Sequence, residues 1–230
     1  MFKIRSLKKE LLDSEQIPEK DLFKNLRELD FINNYLGGYG VTFSALIKLL
    51  KPDQTYTLVD IGSGGGDTLK RIDTWAKGLK NRINLFGIDI KSVCIKYSLE
   101  KNPHNSIKFF CDDYRNIFNH VPKVDIIHAS LFCHHLTEIE IIALIKFSYE
   151  KGCILVINDL ERNAFAYYAI KWLTLIFSGS YLVKNDAPLS VLRGFKKSEW
   201  ISILKASGVN HYSVENKWAF RHCIIVDGKR

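Results

Sequence analysis

One stretch constrains the fold of this chain more than any other. The apolar run Tyr56-Thr57-Leu58-Val59 leads through Asp60-Ile61 into Gly62, Gly64, Gly65 and Gly66, and Thr68 to Trp75 follows with helical spacing. A short apolar run bounded by such a turn reads as a buried strand. A strand, a glycine-rich turn and a helix in this order form a corner. There the backbone passes close to a ligand, and the helix N-terminus offers it unsatisfied N–H groups. Such a corner suits a nucleotide. A dinucleotide fingerprint, G-x-G-x-x-G, would place its third glycine at position 67, and that residue is Asp67. The pattern present is acid-x-G-x-G-x-G, built from Asp60, Gly62, Gly64 and Gly66. A plain βα turn needs fewer glycines.

Beyond this corner the chain keeps alternating. Strands are predicted at 56–61, 83–89, 106–111, 124–129 and 152–157, with helical patterns between most of them. That regularity predicts a mostly parallel sheet with helices on both faces. A helix near Ser198 to Ser207 stops at Gly208, a suitable residue just past a helix C-terminus. Two closely spaced strands, about 210–216 and 219–226, predict a closing antiparallel hairpin. Upstream, Leu22, Phe23, Leu26, Leu29 and Phe31 recur at helical spacing. Residues 1–54 are therefore expected to form a helical extension, interrupted at Gly37-Gly38-Tyr39-Gly40 and ended at Pro52, before a domain at 55–230. A chain of 230 residues, 47% hydrophobic and 25% charged, can bury one α/β domain with an extra segment.

The glycine run resembles the first motif of the class I S-adenosylmethionine (SAM) dependent methyltransferases, and a hairpin closing a parallel sheet fits the same family. The likeness spans roughly residues 55–226. It implies a Rossmann-like α/β fold, SAM as cofactor and S-adenosylhomocysteine (SAH) as product. It places Gly62, Ser63, Gly64 and Gly66 beneath the methionine part of the cofactor and Asp60 near its ammonium group. It implies that Ile90 packs on the adenine, and that Asp112 or Asp113 reads the adenine amino group, with Asp112 preferred. Tyr114, Ser130 and Phe132 complete the expected cofactor shell. Asp89 stands on its own chemistry. A carboxylate ending the second strand accepts hydrogen bonds from both ribose hydroxyls, and it equally suits a cap for the next helix.

His134 and His135 are the candidate catalytic residues. They precede Thr137-Glu138-Ile139-Glu140, a capping box, so they lie in a loop at the carboxyl edge of the sheet, where open α/β sheets bind ligands. A histidine there can take the proton of a phenol or enol as the oxygen attacks a methyl group. Adjacent loop histidines are expected to diverge, one facing the substrate; capping or packing is the alternative for either. After Asn158 and Asp159, residues 160–195 form an aromatic helical segment with Phe165, Tyr167, Tyr168, Trp172 and Phe177. It is expected to pack as one long helix in the core or to wall a flat apolar acceptor. With Arg162, Lys171 and Lys184 around it, it also fits a membrane-surface helix. Asn33, Asn34 and Tyr39 are candidate contacts beside the glycine turn. The stretches Asn158–Arg162 and Asp186–Phe195 are similar to bacterial quinone- and polyketide-tailoring methyltransferases. The expected function is methyl transfer to a small aromatic, phenolic, quinol or polyketide-like acceptor, with O-methylation ahead of C-methylation.

Other classes fare less well. The formal charge of +8 favours a nucleic-acid methyltransferase. The basic residues are dispersed, however, and no N/D-P-P-Y/F tetrad follows the fourth strand, so nucleic acid is the lesser expectation. A non-catalytic SAM-binding regulator is a further alternative, and a NAD(P)-dependent oxidoreductase is disfavoured by Asp67. The five cysteines are odd in number and lack a C-x-x-C, which predicts reduced thiols in a cytoplasmic protein. No signal peptide is evident, and Ala164 to Phe177, broken by Lys171, is short of the roughly 20 residues a bilayer span takes. Without matched Cys/His spacing no metal is expected.

Overall fold

The computed structural model describes residues 2–14, 17–79, 82–102 and 106–229. Strands β1 (Thr55–Ile61), β2 (Arg82–Asp89), β3 (Ile107–Cys111), β4 (Ile126–Ser130), β5 (Ile154–Leu160), β6 (Tyr212–Lys217) and β7 (Arg221–Val226) form one sheet in the order β3-β2-β1-β4-β5-β7-β6. β1 to β5 pair in parallel, and β7 is antiparallel to both β5 and β6. The predicted mostly parallel sheet and its closing hairpin are both present. β4 and β5 begin later than predicted. Gly152, at φ +72°, is still turning the chain before β5. β5 then runs on through the polar pair Asn158 and Asp159, because Cys223 and His222 of β7 continue its ladder.

Helices cover both faces. Ile141 and Leu144 of α6 (Glu138–Glu150) and Trp200 of α9 (Lys197–Ala206) pack on Ile127 and Leu155. Val41 and Leu46 of α2 (Gly38–Leu49) and Leu69 and Ile72 of α3 (Asp67–Ala76) pack on Ile126 and Val156. Successive strand residues thus go to opposite cores, the period of two that a strand imposes. Leu22 and Leu26 of α1 (Glu19–Tyr35) join Cys94 and Tyr97 of α4 (Ser92–Glu100) in a third cluster, which lays α1 over the carboxyl edge of the sheet.

Two expectations are corrected. Among the described residues before α1, 2–14 form a strap and not a helix, apart from a 3₁₀ turn at Leu11–Asp13. Ser6 N–H donates to the Leu192 carbonyl, and the Leu11 and Leu12 N–H groups donate to the Asp186 carboxylate. Tertiary partners satisfy the groups that a helix would satisfy internally. The segment after β5 is two helices, α7 (Ala164–Phe177) and α8 (Tyr181–Arg193), rather than one. The break falls at Ser178-Gly179-Ser180, and the Ser180 side chain caps α8. α7 packs on α8 but leaves Trp172, Leu175 and Ile176 exposed. Among the described residues no helix is long and apolar enough to cross a membrane.

Candidate active site

The glycine loop is held from below. Gly64 N–H donates to Asp89 Oδ2 at 2.9 Å, Ser63 N–H to the Ile88 carbonyl at 3.1 Å, and Ser98 Oγ–H to the Gly64 carbonyl at 2.9 Å. Gly62 sits at φ +63°, and a Cβ there would lie 2.3 Å from the Phe132 ring. Both facts require glycine. Above the loop lies a cavity of about 380 Å³, lined by Gly62, Ser63, Gly64, Asp89, Ile90, Asp112, Asp113, Tyr114, Ser130 and Phe132 and closed by Leu26, Leu29, Asp30 and Tyr39. The carboxyl ends of β1, β2, β3 and β4 meet here. Ser63 Oγ is buried in its wall without a hydrogen-bond partner, and Ile90, 71% exposed, offers a flat apolar surface beside it. A nucleoside with a polar tail fits these residues.

Individual candidates stand in different places. Asp89 does two jobs at once: its other oxygen accepts from Lys91 N–H at 2.9 Å, and each oxygen keeps a lone pair for a ribose hydroxyl. Burial pushes its pKa up in spite of those two N–H donors. Asp60 faces away from the cavity. It is 3% exposed, with Oδ1 2.7 Å from His128 Nδ1, and His128 Nε2 lies 3.0 Å from Thr42 Oγ1. The β1–β4 register sets Asp60 directly beside His128, so strand pairing decides its partner. Gly66 lies behind the lining, where a Cβ would come 2.6 Å from the Phe109 ring. Asp112 accepts from Asn116 and pairs with His120, while Asp113 caps a short turn and pairs with Arg115. These bonds hold both carboxyls below their usual range, Asp112 chiefly through Asn116 and Asp113 chiefly through Arg115. Asn33 and Tyr39 line the cavity; Asn34 does not.

A second cavity of about 580 Å³ adjoins the first. Its walls are mainly apolar: Leu29 and Ile32 of α1 and Leu36 just past it, Phe165, Ala169 and Leu173 of α7, Val183 and Val191 of α8, and Trp218 and Phe220 of the hairpin turn. The two cavities share Leu12, Leu29, Asn33, Leu131 and His135. Leu131, just past β4, is held at φ +53°, a strain of about 1–3 kcal/mol that clusters at functional sites.

Both histidines line this second cavity, so they do not diverge. The 3₁₀ turn Cys133–His135 keeps their rings abreast, 4.3 Å apart, and a separate aspartate holds each. His134 N–H donates to Asp159 Oδ2 at 2.8 Å, and its ring Nδ1 lies 2.7 Å from Asp159 Oδ1. A carboxylate only accepts, so Nδ1 carries the proton and Nε2 presents a lone pair. His135 Nδ1 lies 3.2 Å from Asp13 Oδ1. Glu10, 5% exposed, stands 3.6 Å from His134 Nε2 and 3.9 Å from His135 Nε2, and accepts from Ser190 Oγ–H at 2.8 Å. Burial raises Glu10. Burial would also raise Asp13 and Asp159, but His135 outweighs it and sets Asp13 at about 2, and His134 holds Asp159 below its ordinary value. Glu10, His134 and His135 place ligand atoms within 4.8 Å of one another, close enough to hold a metal ion. The Arg193 guanidinium, 3.9 Å from the same Glu10 oxygen, already supplies positive charge there.

No family model and no curated protein sequence matches the chain. Solved structures do match. The plantazolicin methyltransferase BpumL in complex with SAH aligns with a TM-score of 0.63 at 17% identity, covering 94% of this chain and 91% of that one. A SAM-dependent methyltransferase from Aquifex aeolicus aligns with a TM-score of 0.58 at 14% identity, covering 92% and 98%. The CMeT domain of the citrinin polyketide synthase gives a TM-score of 0.58 at 14% identity, covering 82% of this chain and 50% of that one. The fold is that of the class I SAM-dependent methyltransferases. At these identities the likeness is one of architecture.

Within that methyltransferase fold, several site residues carry no signal in the sequence. Glu10 and Asp13 lie in a charged, aperiodic stretch. No motif singles them out, and only the strap brings them to the histidines. Arg193 Nε and Arg5 Nη2 both donate to the His134 carbonyl, at 3.0 and 2.6 Å. Arg5 reaches it across 129 residues of sequence.

Proposed function

We propose that this protein transfers the methyl group of SAM to a small, largely apolar acceptor held in the 580 Å³ cavity. The acceptor is phenolic, quinol-like or polyketide-like, and oxygen is favoured over carbon as the methylated atom. One observation carries this reading: the cavity over the glycine loop and the apolar cavity join at Leu131 and His135, beside a histidine whose tautomer Asp159 fixes. When bound, SAM supplies a methyl group on a positively charged sulfur. The chain's own work is alignment, worth up to about 7–11 kcal/mol of barrier, and proton removal. A phenol has an ordinary pKa of about 10, so a base at its oxygen helps. His134 Nε2 takes the proton while Asp159 stabilises the resulting imidazolium, a contribution of typically about 10²–10⁴-fold. His135, held by Asp13, and Glu10 stand close enough to share that charge. Leu29, Ile32, Phe165 and Leu173 exclude water from the acceptor's body. The apolar lining supports a small organic acceptor over a nucleic acid.

The test is calorimetric titration with SAM, SAH and NADH, with Asp89→Ala as control. Micromolar binding of the first two, lost in the control, supports the reading and leads to turnover assays against phenols and quinols. Binding of NADH alone, or of nothing, sinks it.

A further inference from the structure

Arg162, Arg193 and Arg221 are all buried, at 2%, 6% and 3% exposure. Arg162 meets the Glu199 carboxylate at 2.5 Å, and Arg193 meets Asp13 at 3.4 Å. Arg221, the first residue of β7, has no carboxylate partner among the described residues. Its Nη2 donates to Asn33 Oδ1 at 2.8 Å, its Nη1 reaches Asn158 Oδ1 at only 3.5 Å, and its Nε has no partner at all. A guanidinium has five N–H donors and no acceptor. Removing it from water with no carboxylate in hydrogen-bond contact is costly, and the nearby Asp159 carboxylate offsets that only in part. Burial lowers its pKa to about 10, so it stays charged at neutral pH.

Its surroundings are built around it. Gly38 leaves room: a Cβ there would lie 3.0 Å from Arg221 Nη2. Arg221 lines the apolar cavity, and so does Asn25, which is 1% exposed with an unpaired Oδ1. Asn33, which orients the guanidinium, belongs to both cavities. A group anchored on Arg221 is therefore fixed close to where the cavities join. Among the described residues no carboxylate bonds this cavity-lining guanidinium, and charge-assisted bonds from arginine to carboxylate are the strong kind.

We propose that Arg221 binds a carboxylate carried by the acceptor, which makes the substrate an aromatic or otherwise apolar carboxylic acid. This inference rests on the methyl-transfer reading above and narrows its substrate class. The carboxylate fixes one end of the acceptor, and so decides which of its atoms faces the junction at Leu131 and His135.

The experiment uses the whole protein. SAH is titrated first; if it does not bind, the methyl-transfer reading fails and this inference fails with it. With SAH saturating, a hydroxynaphthoate and the matching hydroxynaphthamide are titrated in turn. The carboxylate should bind about tenfold more tightly or better, the range expected of a hydrogen bond to a charged group. Arg221→Met should erase that preference and leave SAH affinity in place, and Arg221→Lys should retain part of it. Equal affinity for acid and amide, or no binding of the acid, overturns the proposal. So does loss of SAH affinity in Arg221→Met with the acid preference intact, because the arginine then serves the cofactor's carboxylate. The acid-versus-amide comparison is made on the unaltered protein, so it stands even if a variant misfolds.

Discussion

The two cavities are built in different ways. The cofactor cavity is lined mostly by the loops that directly follow β1, β2, β3 and β4, each contributing a few consecutive residues such as Gly62–Gly65 or Asp112–Tyr114. The acceptor cavity gathers Glu10, α1, the histidine turn, α7, α8 and the β6–β7 turn, pieces spread from position 10 to position 221. In the first, local strand geometry delivers each group. In the second, each group arrives only when distant elements dock. A glycine loop leaves a motif that can be read; a docked wall leaves only apolar residues that look like any core.

The largest effect should come from His134→Ala, which should lower turnover by about 10²–10⁴-fold with SAH affinity unchanged. If SAH affinity falls as well, the two cavities are not separable and the contrast between them breaks. Gly62→Ala comes next. Forcing φ +63° on a residue with a Cβ costs about 1–2 kcal/mol, before the clash with Phe132. SAH affinity by calorimetry should therefore fall by about tenfold or more. Trp218→Ala removes an acceptor wall that is 79% exposed, so thermal stability should move by within about 0.5 kcal/mol while acceptor KM rises. The smallest effect concerns pH. Burial raises Asp67, in the cofactor cavity, from 3.8 to about 6. The folded state then holds that proton more tightly, so stability contributed there falls as pH rises from about 4 to about 6. Asp13, at about 2, acts with the opposite sign: its stabilisation is present above about 4 and is lost as pH falls toward 2. Thermal unfolding across this range, with Asp67→Asn and Asp13→Asn, should show the slope flattening in opposite directions.

The fold was legible because the β-α alternation repeats, and because Gly208 and the Thr137–Glu140 box mark helix ends by local chemistry. The strap was not legible. Its order comes from Asp186 and from carbonyls of α8, partners that no local pattern announces. Asp60 shows the limit of a motif: the acid is where the pattern puts it, and the strand register turns it onto His128. The histidines were legible as a pair. Their shared direction was not, because it depends on Asp159, 25 positions from His134, and on Asp13, 122 positions from His135. Arg221 looked like an ordinary strand residue until its lack of a carboxylate partner was visible.

β7 follows β6 in the chain yet lies between β6 and β5. The edge of β5 is therefore met by the later strand of a local hairpin, and β6 joins the sheet only through β7. A direct β5–β6 pairing would be a trap, closed by backbone hydrogen bonds as good as the native ones. Of the polar pair at the end of β5, Asn158 alone meets a β7 side chain, Arg221, while Asp159 turns to His134. Completion of the sheet thus rests on one six-residue strand that pairs antiparallel on both of its sides.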